Sequence, residues 1–120
     1  ICCARPGVKG VSENMQVRSI VGRFLEHTRV FCFENGDDDP LVYCSSADWM
    51  DRNFFSRVES CFLVEDKRIR QRILDDMQAY LSDNTQAWVL RSDGSYKRVA
   101  SGSARRKASQ DILLESMVKR

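Results

Sequence analysis

The 120-residue chain contains a single histidine, His27, two positions before Arg29. Both stand at the head of the β-branched and aromatic run Thr28–Phe33. Two apart at the start of a strand, they put both side chains on one face by period-two alternation, with Phe31 and Phe33 continuing that face as apolar support. An imidazole can act as base or nucleophile, and a guanidinium beside it draws anions. A second cluster is Ser45-Ser46-Ala47-Asp48-Trp49-Met50-Asp51-Arg52-Asn53. It joins a carboxylate with hydroxyls, a guanidinium and an amide, and the last three are the donors that a phosphoryl group needs. The blander reading is a capped turn, with Ser46 or Asp48 as the cap and Trp49 and Met50 filling the core. A third cluster is Arg57-x-Glu59. Glu59 could orient a histidine or pair with Arg52, or it could form an edge salt bridge of small worth.

The elements that must hold these groups follow from the hydrophobic spacing. Ile1–Ala4 reads as a strand, followed by a Pro6-Gly7 turn. Ser12 is a fair N-cap for a helix over 13–26, with Val17, Ile20, Val21, Phe24 and Leu25 on one stripe. Strands are expected over 28–33, 41–46 and 58–64, the first two joined by the polar turn 34–40 as a hairpin. Residues 48–55 read as irregular or a helical turn. Asp66 caps a helix over 67–82, with Ile69, Ile73, Met77, Tyr80 and Leu81 inward. A strand over 86–91, a turn at Ser92–Ser95 and a short returning strand over 96–99 follow. A small, basic loop over 100–106 leads to a last helix over 109–118, with Ile112, Leu113 and Met117 inward. Strands interleaved with helices indicate an α/β fold with a mixed sheet flanked by helices, in a single domain over 1–120.

Composition narrows the class. At 42% hydrophobic and 30% charged residues, neither disorder nor a membrane protein is indicated. No apolar stretch approaches the length of a spanning helix. The first residue is Ile1, which suggests a piece of a longer protein. Net charge is +2, but residues 97–120 carry seven basic groups against Asp111 and Glu115, a local +5. Such a segment can hold phosphates, although it is more often a solvated surface. The five cysteines, Cys2, Cys3, Cys32, Cys44 and Cys61, include no C-x-x-C, and one histidine does not complete a zinc set. They read as free, buried thiols in a reducing cytoplasm, and no metal ligand is expected in the chain.

Taken in order, the three clusters resemble the phospholipase D superfamily pattern, H-x-K followed by G-S-x-N-x-x-x-R-S-x-x-x-N-x-E. Arg29 stands where the lysine would be, Asp48 for the asparagine, Asn53 for the second serine and Arg57 for the later asparagine, while Ser46, Arg52 and Glu59 match. Glu34 meets the acidic position five after the lysine. The departures argue against phosphodiesterase activity. A closer likeness covers nearly the whole chain. Ile1–Gly7, Ser12–Asn14, Ser19–His27, Phe33–Gly36, S-A-D-W-M-x-R-N over Ser46–Asn53, Arg57–Glu59 and Asp93–Tyr96 resemble the last domain of bacterial polyphosphate kinase.

That resemblance implies a phospholipase D-like domain facing a second one in the same polypeptide. The other domain would supply a histidine phosphorylated by ATP, and His27 would correspond to the second histidine, in an E-H-x-R context. The family moves the terminal phosphate of ATP reversibly onto inorganic polyphosphate, with Mg2+ accompanying the nucleotide. Arg29, Ser46, Arg52 and Asn53 are then expected to meet phosphate or polyphosphate, with Glu59 supporting them. The expected partners are ATP or ADP, polyphosphate, the remaining domains and other copies of the intact enzyme, without nucleic acid. The setting would be cytoplasmic, with peripheral membrane association open, and the piece alone would be inactive. Two other readings stay open: a phosphodiesterase or nuclease half-site, and a non-catalytic polyanion-binding domain.

Overall fold

The structure is a computed structural model that describes residues 4–36 and 39–118. The strand expected over Ile1–Ala4 falls almost wholly outside the described residues. In order, the elements are β1 (Arg18–Ile20), β2 (Val30–Phe33), β3 (Leu41–Ser45), α1 (Asp51–Phe55), β4 (Cys61–Leu63), α2 (Lys67–Ser82), β5 (Ala87–Leu90), β6 (Tyr96–Arg98) and α3 (Ser109–Val118). The α/β class holds. The single mixed sheet does not: among the described residues the strands form two three-stranded sheets, ordered β1-β5-β6 and β2-β3-β4, each antiparallel throughout. Tight turns account for part of this, since Glu34–Pro40 and Ser92–Ser95 are too short for the crossover a parallel pair requires. No helix among the described residues is long and apolar enough to cross a membrane.

The chain separates into two compact units, one of residues 1–26 and 76–120, the other of residues 27–75. In the second unit, β3 is central. Val42 is fully buried and lies opposite Cys32, and Val64 N donates to Val42 O at 2.8 Å just beyond β4. Ala47 and Val64 complete its buried apolar set among the described residues. Arg70 is nearly buried and pairs with Asp39. Asp66 caps α2 as expected, its Oδ1 accepting from Arg68 N at 2.8 Å and Ile69 N at 3.1 Å.

In the first unit the helix expected over 13–26 is absent. Its β-branched residues instead feed β1, where Ile20 pairs with Ala87 and Ser19 with Trp88. Ser12 does not cap a helix: its Oγ donates to Arg5 O and accepts from Val8 N, closing a local loop. Gly22 breaks the helical pattern and is needed for another reason. A Cβ there would lie 2.3 Å from Gln110 Oε1 and 2.8 Å from Gln86 Nε2. Gln110, buried at the start of α3, fills that space and holds the strand's exit. Its Nε2 donates to Phe24 O (2.8 Å) and Glu26 Oε1 (2.7 Å), and its Oε1 accepts from Phe24 N (3.1 Å).

Two inward-facing sets also need correction. Ile69 and Leu81 of α2 and Ile112 and Met117 of α3 are exposed, while Ala79, Ser109 and Gln110 are buried. The helices bury small and polar positions because hydrogen bonding, more than an apolar stripe, seats them. The centre of that bonding is Asp83, 1% exposed. Its Oδ1 accepts from Thr85 N (2.9 Å), Gln86 N (2.7 Å) and Ala87 N (3.1 Å). Its Oδ2 accepts from Ser109 N (2.7 Å) and Ser109 Oγ (2.8 Å). One carboxylate thus joins the end of α2, the entry to β5 and the N-terminus of α3, where the helix dipole favours negative charge.

Candidate functional site

The candidate residues gather at the end of the β2-β3-β4 sheet, in the unit of residues 27–75. β2 begins at Val30, so His27 and Arg29 precede the strand rather than sharing its face. Pairing still continues past the strand's end: Ser45 N donates to Arg29 O at 2.9 Å, and Arg29 Nη1 donates to His27 O at 3.0 Å. These bonds, in place of strand alternation, set the course of the segment. His27 is exposed and Arg29 half-buried. Phe31 supports the cluster by stacking on Trp49 at a centroid distance of 5.6 Å.

Arg29 is not a free cation. Its Nε donates to Asp48 Oδ1 at 2.6 Å. That bond raises the arginine's pKa and holds the Asp48 carboxyl below its ordinary range, with the charges of Arg29, Arg52 and His27 adding to the effect on Asp48. The sequence offers Asp48 as part of a phosphate-binding cluster or as the cap of a turn, not as the partner of Arg29. Instead α1 starts after Met50 with no side-chain cap, and Trp49 is 78% exposed rather than buried. The ion pair was missed because Arg29 and Asp48 lie nineteen positions apart, although both were visible as charged residues flanking adjacent strands.

Ser46, Asn53 and Glu59 form a second network. Ser46 Oγ donates to Glu59 Oε2 at 2.5 Å and accepts from Ser60 N at 3.0 Å. Asn53 Nδ2 donates to Glu59 Oε1 at 2.6 Å. The Ser46 hydroxyl first, and the Asn53 amide second, hold the Glu59 carboxyl below its usual range. Glu59 therefore neither orients His27 nor pairs with Arg52. It braces the loop after β3 against the approach to β4. Asn53 is 4% exposed, and its Oδ1 meets no donor among the described residues. A phosphate role for Ser46 or Asn53 would have to compete with these bonds.

What remains available is His27 and Arg52. Both are exposed, and among the described residues neither enters an ion pair. Both flank the Arg29–Asp48 pair in the chain, His27 two positions before Arg29 and Arg52 four positions after Asp48. The result is an imidazole and a guanidinium presented to solvent beside a neutralised Arg29–Asp48 pair. Such a surface can bind a phosphoryl group and exchange a proton with one of its oxygens. Glu26, immediately before His27, is held by Tyr80 Oη at 2.8 Å as well as by Gln110. Two exposed thiols, Cys32 and Cys61, correct the expectation of buried cysteines, and Cys44 is half-buried.

Comparison with known proteins gives this geometry a context. The family model described as "Polyphosphate kinase C-terminal domain 2" matches residues 1–110. A polyphosphate kinase of Pseudomonas aeruginosa is 54% identical over 118 residues, covering 98% of this chain and 17% of that protein. One from Xylella fastidiosa is 49% identical over 118 residues, covering 97% of the chain and 17% of the relative. The crystal structure of polyphosphate kinase from Porphyromonas gingivalis superposes with a TM-score of 0.92 at 32% identity, covering 99% of this chain and 18% of that one. The chain thus spans about a sixth of the length of the curated relatives it matches. It has their phospholipase D-like fold, and it belongs to the polyphosphate kinase family as that family's C-terminal domain 2.

Proposed function

We propose that the chain, taken as one domain of a longer polyphosphate kinase, supplies one side of an active site that moves the terminal phosphate of ATP reversibly onto inorganic polyphosphate. The histidine that carries the phosphate would lie in a part of the polypeptide outside these 120 residues. The observation that supports this most is the exposed pair His27 and Arg52 at the sheet end, in a chain 54% identical to a polyphosphate kinase.

Phosphoryl transfer depends on positioning and on neutralising charge spread over the phosphoryl oxygens. Arg52 would supply that charge. Arg29, already balanced by Asp48, would act mainly by fixing the backbone at His27 through its bond to the His27 carbonyl. His27 would pass a proton to or from the transferring or leaving oxygen. Ser46, Asn53 and Glu59 would keep α1, which carries Arg52, in place. Among the described residues no group of three or more His, Cys, Asp or Glu side chains gathers to hold a metal. Of the cluster's carboxylates, Asp48 is committed to Arg29 and Glu59 to Ser46 and Asn53, which leaves Asp51 alone. The residues present do not fit a resident magnesium site, and the ion is assigned to the nucleotide. The free thiols Cys32, Cys44 and Cys61 are consistent with a cytoplasmic setting.

The test is His27→Ala in the whole polypeptide carrying this chain. Loss of a proton-transfer group should lower phosphate transfer from ATP about 10²–10⁴-fold. Because His27 is exposed, thermal stability should stay near that of the parent. Undiminished turnover would refute a catalytic role and favour a polyanion-binding domain.

A further inference from the structure

A second basic feature lies far along the chain from His27, wholly within the unit of residues 1–26 and 76–120. The loop after β6 runs back against the turn between α2 and β5 and is tied there at several points. Asn84 N donates to Lys107 O (3.0 Å), Lys107 N donates to Asn84 Oδ1 (2.7 Å), and Asn84 Nδ2 donates to Arg105 O (3.0 Å). Thr85 Oγ1 also donates to Lys107 O at 3.0 Å. Inside this tied loop is a cleft of about 300 Å³, whose lining includes Asn84, Thr85, Arg98, Ser101, Gly102 and Arg106.

The chemistry of the lining is one-sided. Arg98 Nε and Nη2 both donate to Thr85 O, at 3.1 and 2.7 Å, which fixes the plane of its guanidinium at the cleft. Arg106 is exposed and makes no ion pair among the described residues. From Gly94 to Gln110 the sequence has five basic residues and no acidic one; Asp93 and Asp111 flank that stretch, and the nearby carboxylate of Asp83 is already taken up by its five hydrogen bonds. Gly102 takes a φ of +54°, a left-handed turn that suits glycine and keeps the rim low. A guanidinium pinned by its neighbours has already lost much of the rotamer freedom that binding would otherwise remove.

We propose that this cleft is a second oxyanion site, which takes a short run of condensed phosphate. Its volume lies at the lower end of small-ligand pockets, roughly 300–1,000 Å³. No aromatic side chain lines it to stack on a base, so a phosphate run fits it better than a whole nucleotide. Arg106 offers a guanidinium for bidentate contact with phosphate oxygens, and Arg98, with Nε and Nη2 held by Thr85 O, keeps Nη1 for a further contact. The anion site stands on the cleft itself, whereas the choice of condensed phosphate rests on the function proposed above. With Arg98 and Arg106 there, the cleft would hold a segment of the polymer and raise the local concentration of polymer at the enzyme.

The experiment uses the whole polypeptide and tripolyphosphate as the probe. Arginines are modified with phenylglyoxal, with and without tripolyphosphate, and Arg106 is followed by peptide mass spectrometry. Affinity for tripolyphosphate is measured in parallel by calorimetry for the parent and for Arg106→Gln. The expected results are protection of Arg106 and an affinity weaker by roughly tenfold in the variant, the scale of one charge-assisted hydrogen bond. Equal modification with and without the probe, or an unchanged affinity in Arg106→Gln, would overturn the site. Equal protection by polyglutamate would overturn its assignment to phosphate. Neither readout needs turnover. Protection of Arg106 alongside an unimpaired His27→Ala enzyme would sink the catalytic proposal and leave this one standing.

Discussion

Replacing Asp83 should unseat the β1-β5-β6 unit. The carboxylate is 1% exposed and accepts five hydrogen bonds, three of them from Ala87 N, Ser109 N and Ser109 Oγ, on residues that are themselves fully buried. Asp83→Ala leaves those three donors without a partner, at about 1–3 kcal/mol each before relaxation. Water reaching the small void recovers part of this, and about 3–5 kcal/mol is the expected net loss, as for other broken buried charge networks. For a chain of this size that lowers Tm by at least roughly 12 °C. Asp83→Asn should fall between, since one amide oxygen can still serve the three β5-side N–H groups while its NH2 meets the Ser109 donors. The pH dependence follows from the same contacts. Burial pushes the Asp83 carboxyl up, but the N–H groups of Ser109, Gln86 and Thr85 and the Ser109 hydroxyl outweigh it and bring the carboxyl below its ordinary value. A depressed folded-state value stabilises the fold above the unfolded pKa, about 3.9, and the contribution is lost as pH falls through the folded value. Thermal and urea unfolding followed by circular dichroism, at neutral pH and down a series to pH 3, measure both effects. A Tm for Asp83→Ala within a few degrees of the parent, or an acid limb in Asp83→Asn as steep as the parent's, would refute the reasoning.

Two further outcomes are expected. Gly22→Ala puts a methyl 2.3 Å from Gln110 Oε1, so the glutamine must swing off Phe24 and Glu26, and thermal denaturation should show a loss of about 1–3 kcal/mol. An unchanged Tm would mean that Gln110 does not hold the exit of β1. Ser46→Ala removes the main group that keeps Glu59 ionised, so the Glu59 carboxyl should titrate closer to its ordinary range. Side-chain carbon NMR reads this directly, and an unmoved titration would show that Asn53 alone sets it.

The parts of the structure most readable in the sequence are those whose signals are local. Asp66 followed by an apolar-periodic run places α2 at Lys67–Ser82, matching the expected 67–82. The polar turn before Leu41 gives the β2-β3 hairpin. The segment over 13–26 misled because Val17, Ile20, Val21, Phe24 and Leu25 satisfy a helical stripe as well as a strand. Pairing with β5, some seventy residues later in the chain, decides it, and no local window contains that information. The candidate site follows the same division. His27, Arg29, Ser46, Arg52, Asn53 and Glu59 are all recognisable by type and order. That Arg29 is claimed by Asp48, and Glu59 by Ser46 and Asn53, depends on contacts spanning six to nineteen positions. Asp83 gave no signal at all beyond a polar helix end, because Ser109 is twenty-six residues away.

Cys61 opens β4 directly opposite Ser45, at the strand end from which the Ser46–Glu59 network extends. It is exposed, whereas the Cys32 thiol is pushed up, first by the partial burial of its sulfur and then by Cys44. A raised thiol holds less thiolate and reacts more slowly with alkylating reagents. Among the described cysteines Cys61 is therefore the better placed of the two exposed thiols to take a maleimide dye. A fluorophore there would stand one residue from the Ser60 amide that bonds Ser46. The chain thus carries its own reporter position, from which the arrival of an anion at the sheet end can be read as a change in emission.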